Sequence, residues 1–135
     1  MQVDVANQIL AEKFAPWVNA LSLRIDTMCC QGAQLSMPIT PDIARVGGIV
    51  SGQALAALAD TAMVFAVASH FKEFKLVATT NLDVQFLRPG SGEAIECRAT
   101  VIRAGKSVVF CRAQMVALPS GKDVAQATAT FMLPA

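Results

Sequence analysis

The chain has one histidine, no Cys-x-x-Cys pair and almost no net charge, and each shortage removes a class of function. A lone histidine without a cluster of other ligands leaves no basis for a resident metal, and no cofactor is expected. The four cysteines, Cys29, Cys30, Cys97 and Cys111, fall in segments that read as strands and lack the spacing of a metal or redox pair. Buried free thiols are expected, because a bridge between the adjacent Cys29 and Cys30 would be strained. Eleven basic against ten acidic residues give a formal net charge of +1, so no general field draws the chain to nucleic acid or to an anionic membrane. Met1 to Asn7 offer neither the basic region nor the apolar run of a secretory signal, and the expected location is the cytoplasm.

Hydrophobic residues, by contrast, make up 54% of the 135, enough for one sizeable core and one domain spanning residues 1–135. Val5, Ile9, Leu10 and Phe14 recur near helical spacing, which predicts an N-terminal helix within residues 1–16, with Asp4 as its N-cap and Pro16 closing it. From Ala20 to Ile39 the pattern alternates, predicting a hairpin that turns at Gln31 and Gly32. Pro41 to Gly48 read as a loop. Residues 50–71 then form the longest uninterrupted segment, Ala- and Leu-rich and free of proline, which predicts a central helix. That helix is apolar nearly all round and must be buried on most sides, and its run, broken by Asp60, is too short for a membrane span.

The second half alternates regularly enough to orient each strand. Leu82, Val84 and Phe86 share one face, as do Ile95 to Val101, Val109 to Ala117 and Ala125 to Phe131 at every second position. Turns at Arg88 to Gly92, Ala104 to Lys106 and Ser120 to Lys122, where Gly105 and Gly121 are free to take positive φ, predict antiparallel pairing. The fold class is α+β, with one curved antiparallel sheet wrapped around one long central helix.

Asp60 stands alone as a charge in that apolar helix. A buried carboxylate is costly, so it either pairs with an arginine or serves as a nucleophile or general base. The segment leading into the helix, Arg45-Val-Gly-Gly-Ile-Val-Ser-Gly-Gln53, suits an oxyanion, because glycines let backbone amides approach a ligand at the positive end of the helix dipole. The same glycines also suit a tight turn before a helix.

The stretch Gly47-Gly-Ile-Val-Ser-Gly-Gln-Ala-Leu-Ala-Ala-Leu-Ala-Asp-Thr-Ala62 resembles the helix signature of hotdog-fold acyl-CoA thioesterases, the phenylacetyl-CoA and 4-hydroxybenzoyl-CoA types in particular. In that signature His-Gly-Gly begins the helix and an acid follows eight residues after the first glycine. Gly52 and Asp60 keep the spacing, while Ser51 and Gln53 replace the usual His and second Gly. The resemblance continues through Thr79-Thr-Asn-Leu-Asp-Val-Gln-Phe-Leu-Arg-Pro89 and Val101-Ile-Arg-Ala-Gly-Lys-Ser107, covering roughly residues 20–133. It implies that the Gly52 amide polarises a thioester carbonyl while Asp60 attacks it or activates water. It also implies that Ser51, Gln53 and Thr79 lie near the reacting group, and that Arg88, Arg103 and Lys106 hold the nucleotide end of CoA. Arg45 falls where many relatives place the Asn or Gln that orients water.

Eight residues of helix separate Gly52 from Asp60 by about 12 Å, beyond reach of one carbonyl. A joint site therefore requires Asp60 of one subunit to face Gly52 of another, which predicts a homodimer, paired further into a homotetramer. His70, at the helix end and about 15 Å from Asp60, reads as a dipole-complementing surface residue. The expected activity is hydrolysis of an aromatic or medium-chain acyl-CoA. The alternatives are a non-catalytic acyl-CoA binding protein, for which Arg45, Ser51 and Gln53 speak, and an enoyl-CoA hydratase, which would need an Asp–His pair.

Overall fold

The computed structural model describes all of residues 1–135. Two short helices come first, α1 (Val3–Lys13) and α2 (Pro16–Asn19), followed by the hairpin β1 (Arg24–Cys29) and β2 (Gly32–Pro38). A two-residue pair, β3 (Ala44–Arg45) and β4 (Ile49–Val50), precedes the central helix α3 (Gly52–Phe71). Four longer strands follow: β5 (Ala78–Phe86), β6 (Ala94–Ala104), β7 (Val108–Leu118) and β8 (Asp123–Met132). Six strands join antiparallel in the order β1-β2-β6-β7-β8-β5, and α3 lies across their inner face, mainly over β2, β6 and β7. This is the α+β architecture expected.

Side-chain size explains how a sheet wraps a helix so closely. One cross-strand row runs Ala33, Ala99, Ala113, Ala127, all buried, and α3 carries Ala59, Ala62 and Ala66, also buried, along one face at spacings of three and four residues. Methyl against methyl lets helix and sheet approach closely, and the larger Leu58, Met63 and Phe65 fill the space beside the row, all fully buried. The expected inward rows of β6, β7 and β8 are buried, and Arg98, Arg112, Gln114, Gln126 and Thr128 face outward.

Several local expectations need correction. Asp4 is not the N-cap of α1. Gln2 holds that position and Asp4 sits in the first turn, where its charge still complements the dipole. Pro16 starts a second helix rather than merely ending the first, using the fixed φ that suits a first helical position. The β1–β2 turn lies one residue earlier than expected, at Cys30 and Gln31, because Gly32 already pairs with Cys29. Both Cys29 and Cys30 are exposed, and only Cys97 and Cys111 are buried. The segment before α3 is not plain loop: Gly47 and Gly48, at φ 96° and 74°, turn β3 back onto β4. Of the two turn glycines expected to adopt positive φ, Gly121 does and Gly105 does not. Finally, α3 is long and apolar enough to cross a membrane by length and composition, but 67% of the window that passes this test is buried inside the fold.

The two outer strands differ in how their edges are treated. On β1, the Asn7 side chain accepts from Ile25 N–H at 2.9 Å and donates to Ile25 O at 3.0 Å, so α1 supplies an amide where another strand would. Phe14, just beyond α1, stacks on Phe65 at 5.4 Å and closes that end of the core. The outer edge of β5 has no strand against it, and eight of its nine residues are exposed. An uncovered edge of this length is a template for another strand.

The alanine row yields a test of the packing. Ala99→Leu should lower stability by about 1–3 kcal/mol through overpacking, read as a lower urea midpoint with unchanged slope. Thr100→Leu, one residue along on the outer face, should change it by less than about 0.5 kcal/mol.

Candidate active site

Helix α3 starts on Ser51, whose side-chain oxygen accepts from Ala54 N–H at 3.2 Å. This is an ordinary N-cap, in which the Ser51 oxygen serves the helix and its own O–H remains free to donate. The Gly52 N–H follows at the first helical position, where no intrahelical acceptor exists, and no other group in the chain accepts it. A Cβ at Gly52 would sit 3.2 Å from the Phe86 ring, so the absence of a side chain lets that ring lie close against the start of the helix. Arg45, Val50, Leu55, Phe86 and Arg88 surround Gly52 in a cleft of about 320 Å³. Gln53 is exposed next to it, and the Arg45 guanidinium donates to Val46 O at 2.9 Å.

Two helical turns along, Asp60 is half-buried. Thr79, near the start of β5, donates its hydroxyl to Asp60 Oδ1 at 3.0 Å, and no hydrogen bond engages Oδ2. No cation pairs with it: the three ion pairs of the chain are Arg24–Asp26, Lys75–Glu73 and Arg98–Glu96. The structural alternative, an aspartate held by an arginine, is therefore not realised. Burial pushes the Asp60 carboxyl above the ordinary aspartate range, and the Thr79 hydrogen bond offsets part of that rise. A half-buried acid with one oxygen held and one free suits proton abstraction or nucleophilic attack.

The residues singled out from sequence fall into three groups within the chain. Arg45, Ser51, Gln53 and Arg88 gather around Gly52, at the Phe86 end of β5. Thr79 and Asp60 meet at the opposite end of that strand. Arg103 and Lys106 line a smaller cleft with Ser107 and Phe110. That cleft is on the Asp60 side, because Ala78 pairs with Met132, Met132 with Val108, and Leu133 N–H donates to Ser107 O. His70 is in the last turn of α3, edge-on to Phe71, and belongs to none of these groups. A hollow of about 650 Å³ lies on the opposite, outer face of the sheet between Arg98, Arg112, Gln114 and Gln126, away from both Gly52 and Asp60.

Sequence reasoning missed Phe86 as the neighbour of Gly52, although the strand face it shares with Leu82 and Val84 was the available signal. It also missed the stripe Gln53, Ala56, Ala57, Asp60, Val64, the side of α3 that stays only partly covered. These positions are spaced by three and four residues and so share one face of the helix.

Comparison with known proteins places this geometry. No curated protein sequence matches the chain. Among solved structures, a thioesterase family protein from Silicibacter pomeroyi is 27% identical, with a TM-score of 0.84 over 96% of this chain and 94% of that one. The Escherichia coli PaaI protein from the phenylacetic acid degradation operon is 23% identical, with a TM-score of 0.84 over 96% and 91%. A thioesterase from Haemophilus influenzae is 20% identical, with a TM-score of 0.88 over 99% and 91%. The family model described as "Thioesterase superfamily" matches residues 47–123, more than half of the chain and all of α3, β5, β6 and β7. With that match and its antiparallel sheet wrapped around one long helix, the chain belongs to the thioesterase superfamily and has the hotdog fold.

Proposed function

We propose that the protein hydrolyses an acyl-CoA thioester, with an aromatic or medium-chain acyl group, at two equivalent sites shared between the subunits of a homodimer. The observation that carries this reading is the unpaired, half-buried Asp60, steadied by Thr79 and facing the uncovered side of α3. The Gly52 N–H polarises the thioester carbonyl, and Asp60 Oδ2 either attacks that carbon or takes a proton from the water that does. Water adds to the acyl group, and the CoA thiol leaves with a proton.

The open edge of β5 supports the shared site. Its midpoint is Leu82, and a twofold axis there would set Ala78 against the partner subunit's Phe86. Because Phe86 touches Gly52 and Thr79 holds Asp60, that pairing brings Gly52 of one subunit toward the partner subunit's Asp60. The same axis draws Arg45 and Arg88 of one subunit toward Arg103 and Lys106 of the other, a set of cations suited to the phosphates of CoA. Ala56, Ala57 and Val64 next to Asp60 provide apolar surface for the acyl group. A second pairing of dimers into a tetramer is part of the same proposal. The competing reading, acyl-CoA binding without turnover, is favoured by the capping role of Ser51 and the Arg45–Val46 contact, which tie both side chains to the backbone beside them.

Several measurements check these claims. Light scattering at micromolar concentration should give a dimer or tetramer mass, and a fully active monomer would refute the shared site. A panel of acyl-CoA substrates with a thiol reagent should show turnover that falls by at least about a hundredfold in Asp60→Asn. Tight binding of intact acyl-CoA with no turnover of any substrate would establish the binding reading instead. The pH dependence has a defined sign. Because burial raises the Asp60 carboxyl in the folded chain, its cost is absent below the ordinary aspartate value of about 4 and grows as pH rises through the folded value. Urea midpoints should therefore show Asp60→Asn gaining stability at pH 7 but not at pH 3.5, while kcat/KM of the wild type falls on acidification with a midpoint above about 4.

A further inference from the structure

Neighbouring side chains in an extended strand leave opposite faces of the sheet, so consecutive cysteines ordinarily hold their sulfurs apart. At the β1–β2 turn they do not. Cys29 ends β1, paired with Gly32, and Cys30 is the first of the two turn residues, with φ at 62°. That left-handed backbone swings Cys30 round until its Sγ lies 3.3 Å from the Sγ of Cys29. A side chain in this region costs on the order of 1 kcal/mol, so the conformation persists only where its surroundings enforce it. Here they do: Val101 N–H donates to Gln31 O at 2.8 Å, and β6 runs so close to Gly32 that an added Cβ would come within 2.9 Å of Ala99 O. Both thiols are exposed, whereas Cys97 and Cys111 are buried, each thiol pushed up to about 12.

We propose that Cys29 and Cys30 form a two-thiol binding site for a trivalent, thiophilic centre of the organoarsenical class, with one atom bridging the two sulfurs. A direct S–S bond suits the pair poorly, since consecutive Cα atoms lie about 3.8 Å apart and disulfides prefer roughly 4.4–6.8 Å. A bridging atom enlarges the ring and removes that mismatch. With phenylarsine oxide, two arsenic–sulfur bonds form and the arsenic–oxygen bond breaks. The oxide oxygen leaves with both thiol protons as one water, and arsenic stays trivalent throughout.

The test is titration of the native protein with phenylarsine oxide, followed by intact-mass measurement under native conditions. One phenylarsenic group per chain is expected, retained against excess glutathione and released by dithiothreitol. Cys29→Ser and Cys30→Ser should each weaken capture by about a hundredfold, the loss of effective concentration that comes with the second sulfur. Cys30→Gly, whose residue suits the left-handed turn, should fold normally and lose capture to the same extent. Capture by these variants equal to that of wild type, or capture by the wild-type chain only after unfolding, would overturn the site.

Discussion

A helix is rigid along its axis, and that rigidity fixes how far apart Gly52 and Asp60 must lie. Gly52 and Asp60 are eight residues apart on α3, about 12 Å by helical rise, and no rotation of a side chain brings them to one carbonyl. In the proposed dimer the free amide at the helix start and the half-buried carboxylate therefore belong to different sites. Beside both lies β5, which reaches Gly52 through Phe86 and Asp60 through Thr79 and has an outer edge with no partner. The β1 edge, far from this chemistry, is covered by Asn7 of α1.

The rest of the core exists to bury α3 while leaving that one side open. Alanines at 33, 99, 113 and 127 bring the sheet close under the helix, and larger side chains flank them. Polar atoms in the interior are few and engaged, with no buried side-chain nitrogen or oxygen lacking a hydrogen bond. Asp60 departs from this economy. Its carboxylate is held by one hydroxyl, without a cation, in surroundings that favour the protonated form. Such a group weakens the folded state at neutral pH and is the kind of local cost that active sites carry.

Much of this was legible in the sequence, for identifiable reasons. Period-two alternation fixed which face of β6, β7 and β8 is buried, because each side chain in a strand has only two directions to take. The isolated charge of Asp60 marked a candidate site, since an acid in an apolar helix demands an account, and the glycine-to-acid spacing pointed to the family. What remained hidden depends on contacts distant in sequence or on backbone conformation. The capping role of Ser51, the Phe86 ring over Gly52 and the hydroxyl of Thr79 on Asp60 are set by how helix and strand cross. Cys29 and Cys30 looked like buried strand residues because nothing in their identity announces a turn at a non-glycine, left-handed position.

Subunit mixing examines the shared site most directly. One population carries Asp60→Asn and the other Gly52→Val, each inactive alone, and the two are mixed under conditions that allow subunits to exchange. In a mixed dimer one site then holds an intact Gly52 from the first chain and an intact Asp60 from the second. Activity on the best acyl-CoA substrate should return to about a quarter of the wild-type value per chain, since half of the dimers are mixed and each has one good site. No recovery after exchange is verified by mass would mean that Gly52 and Asp60 act within one chain, against the geometry of the helix that carries both.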